Sequence, residues 1–371
     1  MAFLTAGRAL AADPDAKETL SLVGAYAAAA ALPDEHAALL AENADRARDP
    51  AARAEYQRRI ARLVKADPAR AADAWQRVLD LVPEDREAML GSTEALRGGA
   101  DPEAFAQAIR RALSDEGDPE VRARLLADLS AVQDERLGDP QGAIITSKRL
   151  LDVAPKDREA LARLDRLCVK TERWVDLAEV LAREAALAEE AGDAPALVPF
   201  RYRLAELKET RLLDRDGALA LYEQVLQARP DHPEAIARLE ALLQKDPSNG
   251  HAAQVLEAAY AGQGDSLRQA AVLEVRAGER PDAMERKALY VELAELREKK
   301  LGEPELAFLA LCKAFREDPA DRGLRQRMEA LADLTGHDEE LAAIYEDEID
   351  RLPPADTSAV SAGGSRSISS S

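Results

Sequence analysis

The chain has 371 residues and carries 70 acidic against 50 basic side chains, a net charge of −20, so it repels phosphate backbones and nucleic acid is excluded as the expected partner. Apolar residues make up 47% but aromatics only 4%. Alanine, leucine, arginine and glutamate dominate, and runs of strand-favouring residues are absent, which predicts an all-α fold.

Met1 to Leu10 holds Arg8 but no hydrophobic region of the signal-peptide kind, and no stretch reaches the roughly 18 uninterrupted apolar residues of a membrane span. A cytoplasmic protein off the membrane is therefore expected. Residues 1–49 read as partial repeats. The chain starts mid-hairpin, just before Asp13-Pro14, as expected of a truncated chain, an internal start or the end of a longer protein. Gly24 to Leu32 is too apolar for a good polar cap, and this N-terminal hairpin is a candidate for self-association.

Residues 50–350 read as a repeat array. Pro14, Pro83, Pro155, Pro230 and Pro319 are spaced 69, 72, 75 and 89 residues apart, and self-similarity of this kind marks a stacked helical array. Ahead of the last four, the flanking residues align. Asp67, Asp139, Asp214 and Glu303 open a turn; then come Ala71, Ala143, Ala218 and Ala307, and Trp75, Ser147, Tyr222 and Leu311. Helical stripes precede each turn, as at Leu125, Leu129, Val132 and Leu137, at Phe200, Leu204, Leu207 and Leu212, and at Leu289, Leu293, Leu296 and Leu301. Proline disfavours helix in the residue before it, so Val82, Ala154, Arg229 and Asp318 are expected to end helices.

Further helices are predicted over Asp85 to Arg97, Asp157 to Lys170, His232 to Lys245 and Asp321 to Thr335, with another at Trp174, Leu177, Val180 and Leu181. Each super-repeat is then four helices, with about 19 in the chain by this periodicity. The 89-residue gap holds an added helix, Ser266 to Ala277, between Gly262, Gly264 and Gly278. Residues 351–371 are rich in Ser, Pro and Gly and are expected to be disordered.

The spacing of Ala218, Tyr222 and Pro230, and of Ala71, Trp75 and Pro83, resembles the tetratricopeptide repeat. Ala143 with Pro155 and Ala307 with Pro319 fit with Ser147 and Leu311 in the aromatic position. Gly138-Asp139 and Gly302-Glu303 match the inter-helix turn, while the alternate hairpins lack the final proline. The phrasing at 201–207 and 173–178 is similar to large repeat proteins of deltaproteobacteria, and arginine and alanine abundance fits a GC-rich bacterial genome. The resemblance implies a right-handed superhelical solenoid of stacked antiparallel helical hairpins, with the first helix of each lining a groove.

Carried over residue by residue, it places Asp134, Tyr202, Glu206, Glu209, Val291, Glu295 and Glu298 in that groove. The alternate hairpins add Glu87, Leu90, Glu94, Glu159, Arg166 and Glu234. This set is rich in carboxylates, so a basic or mixed peptide is the expected partner. Glu87, Glu159 and Glu234 have a plainer role too, since acids in a first turn favour the helix dipole.

Cys168 and Cys312 lie on apolar faces and read as buried hydrophobes. His36, His232, His251 and His337 are scattered without metal-ligand spacing and read as surface residues. No catalytic constellation, metal site or cofactor motif is found. The expected function is a non-enzymatic scaffold or adaptor for protein partners. The regulatory or sensory C-terminal region of a larger enzyme such as a kinase, and a self-assembling structural component, are the alternatives.

Overall fold

The computed structural model describes residues 1–351, with side chains described to Glu348. The expected disordered tail falls, from residue 352 on, outside the described residues. Twenty α-helices and no strand occur among the described residues, one helix more than the periodicity predicts. They form two compact units, Met1–Val180 and a second beginning at Leu181.

The first unit contains α1 (Ala2–Ala12), α2 (Lys17–Ala30), α3 (Pro33–Ala44), α4 (Pro50–Leu63), α5 (Pro68–Leu81), α6 (Arg86–Leu96), α7 (Pro102–Ser114), α8 (Pro119–Glu135), α9 (Pro140–Val153) and α10 (Arg158–Lys170). The boundary falls inside α11 (Trp174–Glu190). Hydrogen bonds show how the helices interleave. Arg111 of α7 reaches the carbonyls of Leu79 and Pro83 at the end of α5. Arg62 of α4 pairs with Glu87 of α6. Alternate helices are therefore neighbours, as in two layers of stacked hairpins.

The second unit continues with α12 (Ala194–Leu207), α13 (Arg215–Ala228), α14 (Pro233–Lys245), α15 (Gly250–Gln263), α16 (Ser266–Glu279), α17 (Ala283–Leu296), α18 (Pro304–Glu317), α19 (Arg322–Thr335) and α20 (Asp338–Arg351). Five helices run from α13 to α17, where four run from α5 to α8 and from α9 to α12. The predicted added helix is thus present, as α16. Two hydrophobic clusters meet at it, with Val272 of α16 packed against the first. One hydrophobic cluster spans α12 to α15 around Tyr222, Leu256 and Tyr260. A second spans α16 to α19 around Leu273, Phe308 and Met328.

Local chemistry explains the boundaries. Asp67, Asp139 and Asp214 accept hydrogen bonds from the backbone N–H of Arg70, Gly142 and Gly217. A side-chain oxygen here satisfies one of the donors that a helix start leaves open. Glu303 makes no such cap and reaches back to Arg297 at 3.2 Å instead. Val82, Ala154, Arg229 and Asp318 are the C-terminal caps of their helices, where the proline rule puts them. Two helices end in a π-helical turn, Lys208–Leu212 after α12 and Arg297–Leu301 after α17.

Candidate ligand groove

Four helices start alike. Asp85, Asp157, His232 and Asp321 cap α6, α10, α14 and α19, each accepting from a backbone N–H three residues on. Six residues after each cap stand Gly91, Arg163, Arg238 and Arg327. The three arginines turn toward the preceding first helix of the matched hairpin. Arg163 donates to Ser130 Oγ at 2.9 Å and lies 4.0 Å from Asp134. Arg238 holds Glu206 at 2.5 Å. Arg327 holds Glu295 and Glu298, each at 3.3 Å.

Within each unit the predicted groove residues therefore sit along inter-helix ion pairs. Asp134, almost fully buried, also takes Arg166. Glu94 pairs with Arg97, which bridges to Asp128 of α8. In the second unit Tyr202 stacks on the His232 ring at 4.9 Å, beside the Arg238–Glu206 pair. Burial raises the Tyr202 phenol above its ordinary pKa. Burial opposes charge on Arg238, but the Tyr202 and Glu206 contacts outweigh it and raise its pKa. Glu209 accepts from the buried Tyr222 hydroxyl at 2.7 Å. Hydrogen bonding to Lys299, reinforced by Arg327, holds Glu295 below the usual carboxylate range. Val291 is half-buried against the α16–α19 cluster.

The carboxylates expected to greet a basic partner are thus largely engaged by arginines of this chain. The sequence signal was available: an arginine six residues after three of the four caps faces an acid 29 to 32 residues earlier. Of the first-turn acids, Glu159 turns to Arg163, Glu234 to His232 and Glu87 to Arg62.

The exception is Gly91. No arginine fills its place, and the Trp75 indole lies against the bare Cα. A Cβ there would meet Trp75 Cε2 at 2.4 Å. Beside it opens a cavity of about 450 Å³ lined by Trp75, Leu90, Gly91, Arg62, Lys65 and Glu94 among others. Glu87, Leu90 and Glu94, singled out by sequence, come together here. Trp75 is 6% exposed, and its N–H has no acceptor among the described residues. Glu87 is taken by Arg62, whose pKa this hydrogen bond raises. Lys65 makes no ion pair among the described residues.

Elsewhere the chemistry is structural. Cys168 and Cys312 are free and buried, and burial pushes their thiols up to about 11 and about 12. The histidine expectation is corrected in part: His36 and His232 are buried, not superficial. His232 was misread because its ring serves as a helix cap, a role usually filled by Asp in the other repeats. Burial, with Arg59 nearby, lowers the His36 pKa. No group of three or more potential metal ligands, and no helix long and apolar enough to cross a membrane, occurs among the described residues.

No family model matches the chain, and no curated protein matches it by sequence. Solved structures similar to it are tetratricopeptide repeat proteins. A repeat protein from Parabacteroides merdae is 15% identical, over 75% of this chain and 98% of that one, with a TM-score of 0.33. YrrB, described as having an unusual peptide-binding site, is 20% identical over 50% of this chain and 91% of its own, with a TM-score of 0.32. The TPR2AB domain of yeast Sti1, solved with a pHSP90 partner, is 17% identical over 67% and 98%, with a TM-score of 0.29.

Proposed function

We propose that this chain is a non-enzymatic scaffold that holds segments of partner proteins along its first-helix faces. The observation that carries this reading is the cavity at Gly91 in the first unit, whose indole N–H and lysine are unengaged, where the equivalent positions of other repeats hold inter-helix Arg–carboxylate pairs. Paired charges give a rigid, polar rim of the kind that sets register and specificity more than affinity. The groove positions Asp134, Tyr202, Glu206, Glu209, Val291, Glu295, Glu298, Glu94 and Arg166 belong to this proposal. So do a bacterial, cytoplasmic setting and a partner of basic or mixed charge, which the net charge of −20 would draw in at long range. Affinity capture with mass spectrometry tests it. The wild-type chain should retain a defined set of proteins that is lost when Glu206 and Glu295 are both changed to Lys. Capture left intact by those changes would count against the groove.

A second reading, self-association through the N-terminal hairpin, is favoured by Leu4, Leu22 and Tyr26, which are 62%, 50% and 40% exposed on α1 and α2. Light scattering decides it: a mass that rises with concentration, and falls back in Leu22→Glu, is expected. A monomer at all concentrations would rule it out.

A further inference from the structure

We infer that the cavity at Trp75 and Gly91 is an anchor site for an internal peptide motif, an apolar side chain beside an acidic one. This rests on the scaffold reading and names its binding site and ligand chemistry. Three observations converge. First, the position that carries an inward arginine in three repeats carries glycine in this one, and the Trp75 indole packs on it, so the floor is apolar where its counterparts are charged. Alanines 61, 71 and 95 and Leu90 complete the walls. Second, the Trp75 side chain is more than nine-tenths buried yet donates to nothing among the described residues. Its N–H is not sealed off from solvent, so it is free to exchange water for a ligand oxygen. Third, the charges at the mouth are unequal in availability. Arg62 and Glu87 satisfy one another and Glu94 is held by Arg97. Lys65 alone remains to be paired, so the complementary group is a carboxylate.

The apolar side chain enters over Leu90 and the indole face. The neighbouring carboxylate lies across the mouth, accepting from the Lys65 ammonium and the indole N–H. Basic residues further along the same peptide are compatible with the chain's net charge, which makes the ligand one of mixed charge.

The arrangement also supplies its own control. Ser147 stands in the Trp75 position of the next super-repeat, where Arg163 stands in the Gly91 position. Arg62 stands where Asp134 receives Arg163, so Trp75→Ser, Gly91→Arg and Arg62→Asp together rebuild an arrangement this fold already contains and close the cavity. Gly91→Arg alone would drive into the indole.

The test uses the full chain carrying Trp174→Phe, which leaves Trp75 the single tryptophan. Probes are capped, dye-labelled hexapeptides with a central Leu flanked by Glu, Gln or Lys, and a free-acid version ending in Leu. The capped Glu–Leu probe should give a saturable change in Trp75 emission. Binding should weaken about tenfold with the Gln probe or in Lys65→Glu, the loss of one charge-assisted contact. It should be abolished in the Trp75→Ser/Gly91→Arg/Arg62→Asp variant, which should still melt cooperatively. If only the free-acid probe binds, the ligand is a chain terminus and the internal-motif proposal is overturned. If probes bind by anisotropy while Trp75 emission and Lys65→Glu leave them unaffected, the site is overturned and the scaffold reading stands. If no probe binds while affinity capture succeeds, the motif chemistry is overturned.

Discussion

Tyr222 shows what a single side chain does here. Its ring is fully buried while its hydroxyl donates to Glu209. Burial, reinforced by that carboxylate, raises the phenol pKa well above its ordinary value. Truncation to Ala removes a packed ring and should cost about 3–5 kcal/mol, against about 1 kcal/mol for Tyr222→Phe, which loses only the hydrogen bond. Chemical denaturation compares the two; equal losses would deny the hydroxyl its role. Leu213 offers the opposite case. It sits in the left-handed region, φ 58°, 78% exposed, where the equivalent turns use Gly138 and Gly302. Strain at a non-glycine there exceeds the entropy cost of glycine, so Leu213→Gly should stabilise by up to about 1 kcal/mol. A lowered midpoint would contradict this. Ring burial was legible from helical spacing, but the Glu209 partner was not. That residue lies in the π-helical turn, whose widened register brings it back toward α13.

At the scale of the element, the helix starts were the most legible feature. Asp before a helix, and proline after it, act locally and need no partner to be recognised. Asp157→Ala should cost about 1 kcal/mol through loss of the cap on α10, measurable as a lower melting midpoint of the intact chain. An unchanged midpoint would mean water replaces the cap. The two π-helical turns were not legible, since their sequences remain helix-forming and the extra residue per turn is decided by packing. The inter-helix pairs were missed for a related reason. Glu206 and Arg238 are 32 residues apart, and neither is remarkable alone. Only the repeat register, read across α12 and α14, shows that they face each other.

For the whole molecule, the 70 carboxylates set the pH response. Hydrogen bonding to Lys313 holds Glu274 below its ordinary value, against an opposing effect of burial, and hydrogen bonding to Lys287 does so for Asp321. A carboxylate whose folded pKa is depressed contributes stability above its unfolded pKa, near about 4. That contribution is lost as pH falls through the folded value. Urea midpoints should hold steady from neutral pH to about 5 and then fall, with a shallower fall in a Lys287→Met/Lys313→Met variant. An identical acid limb would show those pairs to be inert. The all-α array and its added helix were readable from periodicity. The division into α12–α15 and α16–α19 clusters was not, because helical pattern reports which face is apolar rather than which neighbour covers it.

Site-directed photo-cross-linking in cells tests the central claim, that partner polypeptides dock on the first-helix face, most directly. A photoreactive side chain at Glu94, on the rim of the Trp75 cavity, should trap discrete protein adducts. The same group at Leu267, exposed on α16, should not. Equal labelling at both positions, or none at Glu94 with a folded chain, would contradict the account.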